Sequence, residues 1–122
     1  MVFSLILGTA TPGGGFPVFG AAYAEALNAE EPLLRIEPRN TKGSTENVPL
    51  LEAGKLDLGL VAGELASAAF AKPGTGLRIV AAMYSSPGLF IVWGDSPVRS
   101  IADLKGKPVV LGTHGSGITV LG

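Results

Sequence analysis

The sequence contains no cysteine and a single histidine, which removes two common kinds of functional site. A chain without thiols has no disulfide bond and no thiolate metal site, and His114 has no second imidazole or clustered carboxylates with which to hold a metal ion. As a general base, His114 would need a nucleophile within reach, and no G-x-S-x-G nucleophile elbow occurs. We therefore predict no catalytic residue, no metal and no cofactor.

Charge of either sign is also scarce. Charged residues make up 16% of the 122 residues, the formal net charge is −1, and the lysines and arginines form no stripe or cluster. Nucleic-acid binding therefore has no electrostatic support. No apolar run approaches the length of a membrane span. The apolar segment 2–7 lacks a basic region and a small-residue cleavage site, so it predicts a first strand rather than a signal peptide.

Apolar residues are abundant instead. They make up 47% of the chain, and the mean hydropathy is +0.43. This composition suits an open, mostly parallel α/β sheet with helices on both faces, because parallel strands are buried on both sides. The length favours one domain.

Alternating apolar and polar segments predict a strand, a turn and a helix in repetition. Phe19, Tyr23 and Leu27 recur at helical spacing, Ser44 or Thr45 can cap the second helix, and Pro49 is expected within its first turn. Strands are predicted over 2–7, 33–37, 57–62, 77–83, 89–93 and 108–111. Helices are predicted over 16–28, from 44 or 45 to about 53, and over 64–70 and 100–104, with a last helix starting at 114–117.

Three polar loops, each after an apolar strand and before a helix, are the main candidate binding elements. Backbone N–H groups and hydroxyls at a helix start can bind an anion. A plain Gly-rich turn and a helix cap are the alternative interpretations, and ligand binding is favoured for the first two loops. The candidate ligand-binding residues are Gly13, Gly14, Gly15 and Phe16 in the first loop, Thr41, Ser44, Thr45 and Asn47 in the second, and His114 and Ser116 in the third.

Other candidates follow strand ends or carry positive charge. Gly63 and Glu64 follow the predicted third strand, although Glu64 is equally explained as a first-turn carboxylate favoured by the helix dipole. Tyr84 could contact a ligand with its hydroxyl or be a partly buried core residue. Arg39 and Lys42 could supply charge but are more typical of solvated loop residues.

Four stretches of the chain resemble the TAXI family of solute receptors for TRAP-type transporters, which are NMT1-like periplasmic binding proteins of the type II fold. They are 8–16 (GTATPGGGF), 42–47 (KGSTEN), 50–59 (LLEAGKLDLG) and 100–109 (SIADLKGKPV), the last followed by Gly115-Ser116-Gly117. The last stretch is common to many type II binding proteins, so it supports the fold more than the family. Gly15 stands where a hydroxyl residue is common, and Trp93-Gly94 where a basic-small pair is usual.

The resemblance implies a two-lobed clamshell that closes over a small organic anion, such as an amino acid or carboxylate, in the periplasm. Residues 1–88 would form lobe one, 89–106 the crossover, and 107–122 the start of lobe two. We expect the sequence to be the N-terminal part of a longer receptor that docks on membrane permease subunits. One lobe alone would bind ligand weakly, and two copies would pair through exposed apolar surface.

Two other classes of function remain as alternatives. An effector-binding domain of a transcription regulator shares the fold but would need a DNA-binding helix-turn-helix, which this sequence lacks. A small phosphate-handling enzyme would need a phosphate loop, a metal cluster or a nucleophile elbow, and the sequence shows none of these motifs.

Overall fold

The computed structural model describes residues 1–85, 87–112, 114 and 118–121. Three β-α units occupy the first part of the chain, and short helices follow later. The strands are β1 (Phe3–Gly8), β2 (Leu34–Arg39) and β3 (Leu58–Gly59), and the helices are α1 (Gly15–Glu30), α2 (Ser44–Glu52), α3 (Gly63–Phe70), a 3-10 helix (Ile101–Leu104) and α4 (Ile118–Leu121).

The three strands form one parallel sheet in the order β2-β1-β3. β1 pairs with β2 from Phe3↔Leu34 to Gly8↔Arg39, and with β3 at Leu7↔Leu58 and Gly8↔Gly59. The α/β class with an open parallel sheet and three accompanying helices is confirmed.

One face of the sheet packs against α1 and forms the hydrophobic core. Leu7, Ala24, Ile36 and Leu60 are buried there, and Phe19, Tyr23 and Leu27 of α1 pack against them at the predicted helical spacing. Alternate residues of a strand point to opposite faces, so Leu7 faces α1 while its neighbour Gly8 faces α2.

The other face of the sheet is approached closely by α2, and two glycines make this possible. A Cβ atom on Gly8 would lie 2.4 Å from Cδ1 of Leu56 and 2.7 Å from Oδ1 of Asn47. A Cβ atom on Gly59 would lie 2.9 Å from Cδ1 of Leu51. The absence of side chains at both positions therefore lets Asn47 reach the backbone of β1 and β3.

Several predicted strands are wrong. Residues 77–83, 89–93 and 108–111 have no strand structure among the residues described, because a strand needs a hydrogen-bonded neighbour and none pairs with them. The strand predicted over 57–62 contracts to Leu58–Gly59. Before it, the carboxylate of Asp57 accepts the N–H of Ile6 at 2.8 Å in place of a backbone carbonyl, and after it the chain turns into α3.

Two details of α2 also differ from the prediction. Gly43, not Ser44 or Thr45, is the N-cap, because this position has φ +98°, which favours glycine. Pro49 lies beyond the first turn, inside the helix, where it cannot donate the usual bond to the carbonyl of Thr45. The predicted end of the helix near residue 53 is confirmed, and Gly54, with φ +65°, follows its C-cap Ala53.

The chain divides into two compact units, residues 1–77 with 112–122 and residues 78–111. The second contains the 3-10 helix, whose N-cap Ser100 and first-turn residue Asp103 form a capping box. The division into two lobes and a crossover stays a prediction. No helix among the described residues is long and apolar enough to cross a membrane.

Candidate functional site: the carboxyl edge of the sheet

The loops after β1, β2 and β3 meet at one edge of the sheet, because the strands are parallel. β2 and β3 lie on opposite sides of β1 within the sheet. The direction in which successive strands are added therefore reverses, and the reversal lies between β1 and β3. Ligands of open α/β sheets bind at such a reversal, outside the carboxyl ends of the strands. We call the space between loops 9–14 and 60–62 the switch-point crevice.

The side-chain amide of Asn47 links the ends of β1 and β3 below this crevice. Its Nδ2 donates to the carbonyls of Thr9 and Leu60, each at 2.8 Å, and lies 3.3 Å from the carbonyl of Gly8. Asn47 has no exposed surface. These bonds satisfy carbonyls that separate where the two strands diverge, so Asn47 fixes the spacing of the loops after β1 and β3.

Two threonines join the second loop to the same cluster. The hydroxyl of Thr41 lies 2.8 Å from Oδ1 of Asn47 and 3.2 Å from the carbonyl of Thr9, and it accepts the N–H of Gly43 at 3.0 Å. The hydroxyl of Thr9 donates to the carbonyl of Arg39 at 2.9 Å. Each hydroxyl has a single proton, and both protons are used inside the protein.

Ser44 connects the starts of α2 and α3. It is 2% exposed, and its Oγ accepts the N–H of Ala62, the N-cap residue of α3, at 2.9 Å. We call Thr9, Thr41, Ser44 and Asn47 the buried polar cluster; Thr41 is half-buried and the other three are buried. Three of its members are sequence-predicted site residues, and the structure brings them together as a scaffold behind the loops, with their side chains bonded to the protein.

The first turn of α1 offers the clearest binding groups at this edge. Within the described chain, the N–H groups of Gly15 and Phe16 have no hydrogen-bond partner, and no side chain caps the helix at Gly14. α1 has 16 residues and no acidic residue in its first turn, whereas α2 has Glu46 and α3 has Glu64 there. The positive end of the α1 dipole is therefore the least neutralised of the three.

The remaining candidates take several positions. Gly13, Gly14 and Gly15 are exposed at the edge, as are Gly63 and Glu64 after β3, whereas Phe16 is half-buried against the core. Arg39 and Lys42 are exposed beside the second loop, and the N–H of Lys42 donates to Oε2 of Glu46 at 2.6 Å.

Three candidates from the sequence remain, and the structure describes two of them. Tyr84 belongs to the second unit and is 43% exposed. His114 is exposed, and Ser116 lies outside the described residues.

Two open clefts lie elsewhere in the first unit. A cleft of about 360 Å³ lies between α2 and α3 and is lined by Thr45, Val48, Leu65 and Ala69 among others. A second, of about 410 Å³, is lined by Leu51, Glu52 and residues 72–77. Thr45 is the one predicted site residue that lines either of them, so the clefts and the polar loops are distinct features.

Sequence reasoning missed Thr9 and Gly8. Thr9 is 1% exposed and contributes both its hydroxyl and its carbonyl to the buried polar cluster. The available signal was its position directly after a buried strand. Over the part of the chain that the structure describes, no group of three or more His, Cys, Asp or Glu side chains could hold a metal ion.

Comparison with known proteins identifies the family to which this architecture belongs. No solved structure matches the chain. The model of the NMT1-like family, which is related to periplasmic solute-binding proteins, matches residues 7–122. The match includes all three strands from Leu7 onward and every loop of the candidate site, and the chain therefore belongs to the NMT1-like family.

Proposed function

We propose that this chain is a ligand-binding lobe of a TAXI-type solute receptor, that it binds a small organic anion at the switch-point crevice, and that it catalyses no reaction. Membership of the NMT1-like family supports the receptor class. The four sequence stretches described above support the TAXI assignment and, with it, a periplasmic location and membrane permease subunits as partners.

The observation that carries the proposal is the first turn of α1. Two N–H groups there have no partner among the described residues, and the first turn of the helix contains no acidic residue that would compete with a ligand. An amino acid or dicarboxylate would place one carboxylate against these groups. The buried polar cluster keeps this turn in a fixed relation to the start of α3, where Gly63 and Glu64 would contact the rest of the ligand.

A single lobe supplies one wall of such a site. Closure of a second lobe would remove water from the ligand and strengthen its hydrogen bonds. We therefore expect weak binding by residues 1–122 alone and tighter binding by a longer protein that contains them.

Thermal unfolding with a panel of small acids tests the proposal. Acetate, succinate, malate and glutamate would be added to the 122-residue chain and to a longer protein that carries it. A ligand present at about 100 times its Kd stabilises the protein by about 2.7 kcal/mol, which is readily measured. Absence of stabilisation by every acid in the longer protein would contradict the receptor function.

A matched pair of variants at Gly15 tests the contact itself. Gly15→Pro removes one N–H group but keeps the helix, because proline is favoured at the first helical position and Gly14 already has the extended conformation that proline requires before it. Gly15→Ala keeps the N–H group and is the control. We expect the acid that stabilises the parent to bind G15P about tenfold more weakly and G15A almost unchanged. Equal affinities would place the carboxylate elsewhere.

A further inference from the structure

The side chain of Asn28, in the last turn of α1, is bonded to the backbone of β2. Its Nδ2 donates to the carbonyl of Ile36 at 3.0 Å, and its Oδ1 accepts the N–H of Ile36 at 2.6 Å. One side-chain amide therefore occupies both backbone groups of one strand residue. A neighbouring strand would use the same two groups.

Ile36 presents these groups on the outer side of the sheet. β2 is the first strand in the order β2-β1-β3, so one of its sides has no neighbour among the described strands. The carbonyls of Leu33 and Arg39 accept bonds from Phe3 and Thr9 and so face β1. Backbone groups alternate in direction along a strand, so Leu34, Ile36 and Pro38 face outward.

All three outward positions lack a free donor. The N–H of Leu34 donates to the carbonyl of Glu31 at 2.9 Å, and that of Ile36 donates to Asn28. Pro38 has no N–H group. A strand that approached this edge could donate hydrogen bonds to the carbonyls of Leu34 and Pro38. No N–H group at the three outward positions of β2 would be free to donate to it.

We infer that Asn28 is an edge block: its amide closes the centre of the outer β2 edge, and its removal turns that edge into a pairing surface for a second copy of this chain. Exposed edges of sheets pair with other chains unless proteins obstruct them. Asn is also a weak helix former, so its place in the last helical turn is better explained by this contact than by helix propensity. The inference is independent of the proposed ligand site.

Amide hydrogen exchange of the unaltered chain is the first test. The N–H of Ile36 faces away from β1, so without the Asn28 bond it would exchange like an exposed loop amide. The edge block predicts protection comparable to that of the amides of Arg35 and Glu37, which face β1. Exchange of Ile36 at the rate of an unprotected amide would overturn the inference.

Cross-linking of a single introduced cysteine tests whether loss of the Asn28 amide lets two copies pair through β2. The chain has no cysteine, so Arg35→Cys, an exposed position of β2, gives one reporter at this edge. A short bismaleimide would link two copies that pair through β2. Because the reporter lies on β2, contacts that copies make through other surfaces contribute little.

The variant to compare is Asn28→Ala, and the matched control is Glu25→Ala, which removes an exposed polar side chain from the same helix. We expect about tenfold more cross-linked dimer with N28A than with E25A, since two backbone groups are released for pairing. Adding Pro38→Thr, which restores a donor, increases the yield further.

Equal yields from N28A and E25A, with circular dichroism showing that N28A is folded, would overturn the inference. If N28A does not fold, the exchange rate of the Ile36 amide in the unaltered chain decides the matter.

Discussion

The hydroxyl of Thr41 lies 2.8 Å from Oδ1 of Asn47, and this bond completes the hydrogen bonding of a side chain that has no exposed surface. Thr41 comes from the loop after β2, and the Nδ2 of Asn47 bonds carbonyls after β1 and β3. One pair of residues therefore connects all three loops of the candidate site. The geometry of the switch-point crevice depends on this pair even if neither side chain touches a ligand.

Asn47→Ala is expected to lower the free energy of unfolding by about 2–4 kcal/mol, because it leaves the carbonyls of Thr9 and Leu60 buried without their donor. Urea unfolding followed by circular dichroism measures the change. Asn40→Ala is the control, since Asn40 is exposed and its Oδ1 lies 3.5 Å from the hydroxyl of Thr9, at the limit of a hydrogen bond. Similar losses for both variants would contradict the structural role of Asn47.

The sequence predicts β1, α1, β2, α2 and α3 well because their signals are local. Apolar periodicity identifies the segments, and Glu31-Pro32 and Gly54 mark their ends. The strands predicted over 77–83 and 89–93 are wrong because an apolar run becomes a strand only beside a suitable partner, which a local pattern does not reveal. The structure describes these residues without strand pairing, and Ile91 and Trp93 are 88% and 83% exposed.

The candidate site shows a similar division between position and role. The polar loops after the strands follow from the sequence, since each lies between an apolar run and a helix start. The inward direction of the Asn47 side chain does not follow from the sequence. It depends on the close approach of α2 to the sheet, which Gly8 and Gly59 permit from distant parts of the chain. The same applies to Ser44, whose local interpretation as a helix cap gives no indication of its bond to Ala62.

Gly8→Ala is expected to destabilise the chain by about 1–3 kcal/mol, because the added methyl group would overlap Leu56 and Asn47. Gly63→Ala is the matched control: nothing lies within 4 Å of its Cβ position, and alanine favours a helix. Thermal unfolding of both variants should show a loss for G8A and no loss for G63A. A G8A variant as stable as the parent would argue against the tight contact between α2 and the sheet.

The capping box of the 3-10 helix predicts a dependence on pH. Hydrogen bonds from the N–H of Arg99, then from the hydroxyl and N–H of Ser100, hold the pKa of Asp103 below its ordinary value. A lowered pKa means that the charged carboxylate stabilises the folded form.

This stabilisation is therefore fully present above the pKa of Asp103 in the unfolded chain and is lost as pH falls through the lower folded value. Carbon-13 NMR titration of the Asp103 carboxyl measures the shift directly. Ser100→Ala, which removes the hydroxyl, should raise this pKa toward its ordinary value. An unchanged titration in S100A would contradict the contribution of the hydroxyl.

The exposed apolar residues of the second unit predict self-association. Ile91, Trp93 and Val110 are 88%, 83% and 94% exposed, and removing such surface from water is favourable. We expect sedimentation velocity to show dimers whose fraction rises with concentration, and Trp93→Ser together with Ile91→Ser to reduce that fraction. A monomer at high concentration would contradict this prediction.

Ser44→Ala tests the connection between the starts of α2 and α3. It leaves the N–H of Ala62 without its partner next to a buried position, so we expect a loss of about 1–2 kcal/mol in the free energy of unfolding. Ser67→Ala, on the exposed surface of α3, is the control and should change stability by less than about 0.5 kcal/mol. Hydrogen exchange adds a local readout, because the amide of Ala62 should lose protection in S44A and keep it in S67A. If the Ala62 amide stays protected in S44A, the two helices are held by something other than this bond, and the role assigned to Ser44 fails.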